Sequence, residues 1–435
     1  MQGKNKRTLK RGIFRKVREY YALCHQTKPF IPGKTRIHYS GRVYDHREIV
    51  NLVDAALEFW LTAGRYAKEF EKRMTSFFNA NDFLLVNSGS SANLLMISVL
   101  MSEQLEDHIH PRDEIITPSV TFPTTLAPIV QRGLTPVLVD CELGTYNVAA
   151  QEINKAISEK TVALFIPHTL GNPCEMDRIM DIARENNLYV LEDCCDALGA
   201  TFDGKLVGSF GDMASLSFYP AHHITMGEGG GVVINNPRLV KIARSVRDWG
   251  RDCWCAPGAS NTCGKRFQWQ LGDPPFAYDH KYVYSNLGYN LKVTDMQAAV
   301  GLAQLGKLKR FVGIRRANFA KYHKGLKKYQ RFMILPIWHD KAKPSWFGFP
   351  ITLRNGIKRS ELIQWLEDGK IETRLMFCGN ALRQPAFRNM CCRVAGSLQN
   401  SDKVMRNTFF LGVYPRINSK QIHYILQRFD QFFTR

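Results

Sequence analysis

Leu188-Tyr-Val-Leu-Glu192-Asp193 is the stretch that decides the fold of this chain. Its apolar run has the composition of a parallel strand buried on both faces of a sheet, and it ends in two carboxylates. In open α/β sheets the functional groups gather at the carboxyl ends of the strands, so Asp193 is the first candidate for an active-site residue. A strand of this kind needs further strands on both sides.

Short β-branched runs before and after this strand supply them. Between residues 81 and 235, runs such as Val162-Ala-Leu-Phe-Ile166 and Val232-Val-Ile234 alternate with helix-like stretches. This alternation predicts an α/β fold, with a mostly parallel sheet flanked by helices. Farther along the chain, Thr294 stands directly before an apolar-periodic segment, where it is predicted to cap a long amphipathic helix.

The length of the chain suggests more than one domain. Its 435 residues, 45% of them hydrophobic, can bury a large core and are many for one compact unit. We expect a basic arm over residues 1–30, a large domain over 31–300 and a smaller C-terminal α+β domain over 301–435. Residues 250–282 are rich in Gly, Pro, Cys and Trp, so they are predicted to form an irregular excursion from the large domain, here called the cysteine-rich excursion.

The net charge of +20 is partly concentrated in the arm, between Lys4 and Arg18. Such a basic run can mark nucleic acid or an anionic membrane, but a solvated helix or a mobile arm explains it equally well. No helix-turn-helix, zinc-finger or RNA-binding signature accompanies it, so no nucleic-acid partner is expected.

Three further features of the sequence bear on the compartment. Apolar runs stay shorter than the about 20 residues that cross a bilayer, and the amino terminus lacks a signal-peptide core, so no membrane association is expected. Eleven cysteines without an evident pairing pattern favour a reducing compartment. We therefore expect a cytoplasmic protein.

Two polar segments carry candidate chemistry. Ser217-Phe-Tyr-Pro-Ala-His222-His223-Ile-Thr-Met-Gly227-Glu-Gly-Gly-Gly231 places two histidines before a glycine-rich turn, and an imidazole titrates near neutral pH and can move protons. Val86-Asn-Ser88-Gly89-Ser90 opens a helix-like segment, so the amides of Gly89 and Ser90 could meet a phosphate. Ordinary helix capping is the alternative for the second segment.

These segments, together with Ile116-Thr-Pro-Ser-Val-Thr121-Phe122 and Leu287-Gly-Tyr-Asn290, follow the motif order of a known family. Over nearly its whole length the chain resembles the DegT/DnrJ/EryC1/StrS sugar aminotransferases, which implies a fold type I PLP-dependent transferase, aspartate aminotransferase-like. In that family a lysine holds pyridoxal phosphate (PLP) as a Schiff base. His222 stands at the lysine position and cannot form this link, so the resemblance implies a vitamin B6 enzyme that does not transaminate.

The resemblance also implies roles for the other motif residues. Asp193 would face the pyridine nitrogen and keep the ring protonated as an electron sink. Asn290 would reach the phosphate of the neighbouring subunit, which implies a homodimer with shared active sites. The remaining expectations are that Phe122 lies on the ring, Gly89, Ser90 and Ser217 hold the phosphate, Asp196 lies near the cofactor hydroxyl, and Arg374 borders the sugar-nucleotide pocket. For these the alternatives are a core phenylalanine, a serine bonded to backbone and a surface arginine.

Cysteine is the second departure from an aminotransferase. Cys253-Trp-Cys255 is followed by Cys263, and Cys195 precedes them. Clustered cysteines with a distant fourth can ligate a two-iron cluster, although zinc or merely buried thiols remain alternatives. Adjacent residues on an extended segment point to opposite sides, which leaves Cys194 as a rival to Cys195.

This cysteine spacing resembles the cluster ligands of one branch of the family, which also carries histidine at the lysine position. That branch dehydrates a CDP-4-keto-6-deoxyhexose at C3 on the way to the 3,6-dideoxyhexoses of lipopolysaccharide O-antigen. The resemblance implies pyridoxamine phosphate (PMP), a 2Fe-2S cluster, His222 as the base with His223 as its rival, and an NADH-dependent flavin and iron–sulfur reductase as partner. An iron-free PLP-dependent 3-dehydratase of a GDP-4-keto-6-deoxysugar and a catalytically silent scaffold are the alternatives.

Overall fold

The computed structural model describes residues 2–26, 28–354 and 356–434. Within these residues the strands are Asp82–Val86 (β1), Glu114–Pro118 (β2), Thr135–Val139 (β3), Thr161–Pro167 (β4), Tyr189–Asp193 (β5), Thr201–Phe202 (β6), Lys205–Leu206 (β7), Met213–Ser217 (β8), Gly230–Ile234 (β9), Met333–Ile334 (β10), Ala342–Lys343 (β11), Gly348–Leu353 (β12), Thr373–Leu375 (β13), Arg393–Val394 (β14) and Thr408–Gly412 (β15).

The same ranges contain the α-helices Gln2–Cys24 (α1), His46–Glu58 (α2), Arg65–Phe78 (α3), Gly89–Leu100 (α4), Pro123–Gln131 (α5), Ala150–Ala156 (α6), Met176–Glu185 (α7), Val240–Arg247 (α8), Asp295–Leu305 (α9), Leu308–Leu326 (α10), Arg359–Asp368 (α11), Gln399–Asn407 (α12) and Ser419–Thr434 (α13). Of these helices, none combines the length and the apolar content that crossing a bilayer needs.

The largest sheet has the strand order β1-β9-β8-β5-β4-β2-β3-β14. From β8 to β14 neighbouring strands run parallel, and β9 is antiparallel to both β8 and β1. Alternate side chains enter different apolar clusters, because Val232 packs on one face of the sheet and Val233 on the other. The predicted mostly parallel sheet with helices on both faces is confirmed.

A smaller antiparallel sheet has the order β10-β12-β15-β13. Its apolar face packs on α10, α11 and α13 in a cluster that contains Phe319, Phe349, Phe409 and Phe429. The C-terminal third also contributes β14, which pairs with β3 of the large sheet. The domain boundary near residue 300 stays a prediction.

Two helix starts follow the sequence closely. Thr294 caps α9 with its side chain and forms a capping box with Gln297, as its position before the apolar segment predicts. The basic arm forms α1, which packs on α2 through an ion pair between Lys10 and Asp54. Of the two alternatives for the arm, the helix is therefore the one observed.

The cysteine-rich excursion contains no α-helix or strand among residues 250–282, all of which the structure describes. Its regular structure consists of a β-bridge between Arg251 and Tyr284 and a short 3-10 helix at His280–Tyr282. The predicted irregular segment is confirmed.

Candidate active site

A cavity of about 370 Å³ lies at the carboxyl ends of β5 and β8, beside the first turn of α4. We call it the strand-end cavity. Nine of the residues singled out in the sequence line it: Gly89, Ser90, Phe122, Asp193, Cys195, Asp196, Ser217, His222 and Arg374. The fold therefore gathers residues that lie almost 300 positions apart in the chain.

The Asp193 carboxylate is held in this cavity by three donors. Its Oδ2 accepts hydrogen bonds from Asn93 Nδ2 at 2.9 Å and from Thr125 Oγ1 at 2.7 Å, and its Oδ1 accepts from the amide of Cys195 at 3.1 Å. Asn93 belongs to α4 and Thr125 to α5. Sequence reasoning missed both partners, because nothing in the chain marks residues 100 and 68 positions away as neighbours of Asp193.

The first turn of α4 shapes one end of the cavity. Ser88 caps the helix, and the Ser90 hydroxyl donates to Thr124 Oγ1 at 3.0 Å. A Cβ atom on Gly89 would lie 2.7 Å from Ser217 Cβ and 2.9 Å from Cys195 Sγ, so only glycine leaves this space open. Free amides at a helix start and nearby hydroxyls suit an anion, so these residues fit the phosphate of a pyridoxal-type cofactor.

His222 faces the same cavity. Its Nδ1 lies 3.4 Å from Oδ1 of Asp196 and makes no hydrogen bond to any described residue, so this buried nitrogen has capacity to spare. Burial raises the pKa of Asp196, and the neighbouring His222 partly opposes that rise. The ring packs against Phe347, with centroids 5.2 Å apart, which limits its rotation.

His223 points the other way. Its side chain is buried outside the cavity, and its Nε2 lies 2.9 Å from the carbonyl oxygen of Ser345, to which it donates. Burial holds the pKa of His223 well below its usual value, so the ring is neutral. The geometry thus separates the two histidines, with His222 next to the candidate cofactor residues and His223 in the core.

Arg315 on α10 supports the histidine loop from below. The guanidinium is buried and donates to the carbonyls of Ala221 at 3.3 Å and His222 at 3.0 Å, and also to those of Trp346 and Phe347. Burial lowers its pKa to about 10. The sequence contained one signal, because Phe311, Arg315 and Phe319 share the four-residue spacing of a buried helix face.

Phe122 and Arg374 stand at the mouth of the cavity. Phe122 is 51% exposed and meets Phe377 edge to face. The Arg374 guanidinium lies 4.1 Å from the Tyr39 ring centroid and donates to Glu372 at 2.7 Å. One exposed ring and one half-exposed cation are thus presented to an incoming molecule.

Asn290 does not line this cavity in the described chain. Its Oδ1 accepts from Lys292 Nζ at 2.8 Å, and its backbone forms a β-bridge with Asp248. The expectation that Asn290 serves a neighbouring subunit therefore stays a prediction.

The candidate cluster ligands lie in different places. Cys195 lines the strand-end cavity with Sγ 3.8 Å from Ser215 Oγ. Cys253 and Cys255 line a second cavity of about 530 Å³, here called the excursion cavity. Cys263 Sγ lies 3.4 Å from Nε2 of His280. In the part of the chain that the structure describes, the four thiols do not fit a common cluster.

Cys194, the rival of Cys195, is buried on the opposite side of the segment. With His168 and Glu192 it forms a group whose ligand atoms all lie within 4.8 Å. The Glu192 carboxylate already accepts from His168 and from the amides of Gly208, Phe210 and Gly211. Because its acceptor sites are filled, this group is a structural network.

Comparison with known proteins adds a family and several relatives. The sequence profile of the DegT/DnrJ/EryC1/StrS aminotransferase family matches residues 43–430. The chain is 49% identical over 428 residues to the lipopolysaccharide biosynthesis protein RfbH of Salmonella typhimurium, covering 98% of both chains. It is 48% identical to a dTDP-4-dehydro-2,6-dideoxy-D-glucose 3-dehydratase of Saccharopolyspora spinosa, covering 97% of this chain and 92% of the relative.

A solved structure shares the fold. The GDP-4-keto-6-deoxy-D-mannose-3-dehydratase of E. coli, with bound hydrated PLP, superimposes with a TM-score of 0.81 at 27% sequence identity. The match covers 90% of this chain and 98% of that one. Fold and sequence therefore point to the same group of proteins.

Proposed function

The chain belongs to the DegT/DnrJ/EryC1/StrS aminotransferase family, and from that premise we propose that it is a sugar-nucleotide 3-dehydratase of lipopolysaccharide biosynthesis that uses PMP or PLP. The relatives named as 3-dehydratases support the reaction class. The PLP-bound E. coli structure supports the cofactor.

In its finer form, the proposal names a CDP-4-keto-6-deoxyhexose as substrate and PMP as the working cofactor. It adds a 2Fe-2S cluster on the four cysteines, a homodimer, and an NADH-dependent flavin and iron–sulfur reductase as partner. A reductase is required because the finished 3-deoxy sugar contains two more electrons than the dehydrated one. The eleven free cysteines support a cytoplasmic location.

One observation carries the proposal. His222 stands at the position of the cofactor-binding lysine and faces the cavity that also contains the Asp193 carboxylate. An imidazole there can accept and return a proton but cannot hold the cofactor covalently. Retained cofactor residues with a changed base favour a reaction other than transamination, and they argue against a silent scaffold.

The residues of the cavity divide the work. When bound, the cofactor supplies an amine that condenses with the C4 ketone and a ring that accepts electrons. Gly89, Ser90 and Ser217 hold its phosphate, and Asp193 pairs with its ring nitrogen. His222 takes the proton from its methylene carbon, in a position maintained by Asp196 on one side and by Arg315 through the backbone.

The reaction is tested with purified protein, PMP and CDP-4-keto-6-deoxyglucose. We expect loss of the C3 hydroxyl, measured by mass spectrometry, together with solvent exchange of one methylene hydrogen of PMP. dTDP- and GDP-linked 4-keto sugars test the nucleotide. Transfer of the amino group to the sugar, without dehydration, would contradict the proposal.

The iron-free 3-dehydratase is the second candidate function. It is favoured by the structural likeness to the E. coli GDP-4-keto-6-deoxy-D-mannose-3-dehydratase. The two candidates are separated by measuring iron and acid-labile sulfide on protein purified without oxygen. About two irons and two sulfides per chain support the cluster, since that is the content of one two-iron centre. A chain that stays iron-free after reconstitution, and converts the GDP-sugar with PLP and an amino donor, supports the alternative.

A further inference from the structure

The candidate cluster ligands form two separate groups within one chain. Cys195 lies in the strand-end cavity, whereas Cys253 and Cys255 line the excursion cavity. Among the described residues, the polar contact of the Cys195 thiol is Ser215, and those of Cys255 and Cys263 are Thr262 and His280. Four thiolates must converge on one two-iron core to ligate it. A single chain does not bring them together.

Each group is nevertheless open to a partner. The Cys195 side chain is only half-buried, and the cavity that it lines reaches the surface at the exposed Phe122. The excursion cavity also contains Lys68, Lys72 and Arg251 in its lining, and cations of this kind favour the negative charge of thiolates and of a cluster.

The excursion presents an unusually apolar surface to solvent. Its large exposed side chains, with those of the flanking residues, are Trp249, Trp254, Phe267, Phe276, Tyr278, Tyr282, Tyr284 and Leu287. Exposed patches of this kind mark interaction sites. The base of the excursion is tied to the segment that carries Asn290, because Trp249 N donates to Tyr289 O at 2.6 Å and Asp248 forms a bridge with Asn290.

We infer that a second copy of the chain completes the cluster: Cys195 of one subunit joins Cys253, Cys255 and Cys263 of the other. The inference rests on the proposed function. It commits the aromatic surface of the excursion to the strand-end cavity of the partner subunit, where Asn290 from the same segment would also arrive. Each dimer would then contain two clusters, both shared.

Mixed dimers test this arrangement. Cys195→Ser and Cys253→Ser chains with different affinity tags are co-expressed without oxygen, and the dimer with both tags is isolated. If the sites are shared, one site receives all four cysteines and the other receives two. We expect half of the wild-type iron and sulfide per dimer, with the electron paramagnetic resonance signal of a reduced cluster, while each variant alone has none.

A matched control combines Cys253→Ser with Cys255→Ser. Both changes lie in the same group, so this mixed dimer has no intact site in either arrangement and is expected to lack iron. Retained PMP binding in every sample shows that the chains are folded, and Cys→Ala versions of the variants guard against a serine that ligates iron.

The outcomes are distinct. An iron-free Cys195→Ser and Cys253→Ser mixed dimer, beside a fully loaded wild type, would show that one chain supplies all four ligands and would overturn the inference. A wild type that stays iron-free after reconstitution, or that is monomeric, would overturn it as well. In that case the iron-free dehydratase remains testable by its own activity.

Discussion

The strand-end cavity and the cysteine-rich excursion both present reactive side chains, but they differ in what holds those side chains in place. Asp193 is fixed by Asn93 and Thr125, partners 100 and 68 positions away on two helices. The excursion thiols of Cys255 and Cys263 contact Thr262 and His280, only 7 and 17 positions away. The cavity is therefore made by the global fold, whereas the excursion is made by local contacts and is completed from outside.

The largest expected effect separates the two regions directly. Cys253→Ser should abolish the iron centre and all reductase-dependent turnover, because the cluster loses a ligand. Exchange of the PMP methylene hydrogen, which depends on the cavity alone, should continue within about twofold of wild type. Iron analysis and exchange measured by nuclear magnetic resonance on one preparation check both halves. Cys391→Ser, at an exposed cysteine, is the control and should change neither. Loss of exchange in the Cys253 variant would show that the excursion also shapes the cavity.

The next effect concerns the base. His222→Asn should slow methylene exchange by roughly 10²–10⁴-fold, the usual contribution of a positioned general base. PMP should remain bound, since its phosphate and ring are held by other residues. The measurements are the exchange rate and equilibrium dialysis of PMP.

His223→Asn is the matched control for the base. Its imidazole donates to Ser345 in the core, so this variant should lose thermal stability while its exchange rate stays near that of wild type. A slow exchange in the His223 variant with normal exchange in the His222 variant would move the base to the other ring.

Arg315→Met should give an intermediate effect. Four backbone carbonyls lose a donor, and each buried acceptor left without a partner costs about 1–3 kcal/mol, so the free energy of unfolding should fall by about 3 kcal/mol or more. Exchange at the PMP methylene should slow as well, because the His222 backbone loses its support. Urea unfolding and exchange rates check the two effects.

Arg316→Met is the control for this prediction. The neighbouring Arg316 also donates to three backbone carbonyls, those of Gly199, Lys343 and Pro344, but to none in the histidine loop. We expect this variant to lose stability without a change in exchange. Equal exchange rates in the two arginine variants would reduce Arg315 to a purely structural residue.

The smallest effect compares an ion pair of the sheet with one of the excursion. Arg393 donates two hydrogen bonds to Glu114 and holds the pKa of that carboxyl below its usual value. A lowered folded-state pKa contributes stability above about pH 4.3 that is lost as the pH falls through the folded value. Arg393→Met should therefore cost about 1 kcal/mol at pH 7 and progressively less below pH 4.

The counterpart is Arg266→Met, which removes the pair with Asp279 inside the excursion. We expect no change in the global unfolding midpoint but faster amide hydrogen exchange in residues 250–282, because the segment opens locally. A global destabilisation by Arg266→Met would show that the excursion is part of the cooperative core.

The sequence predicted those parts of the molecule that depend on local patterns. The β5 strand, the Thr294 cap and the irregular excursion follow from composition and periodicity over a few residues. The Asp193 clamp could not be predicted, because it depends on which helices face one strand end. The choice between His222 and His223 also required the fold, since adjacent residues in a turn have no periodicity that assigns them to a face.

Arg315 has a consequence for how this sequence can change over time. Its guanidinium binds the carbonyls of Ala221 and His222 on one side and those of Trp346 and Phe347 on the other. A substitution that shifts α10 along its axis would displace the histidine loop with it. Natural selection for reaction rate therefore extends to a helix whose arginine touches the loop only through backbone, and drift along α10 is restricted as tightly as in the cavity itself.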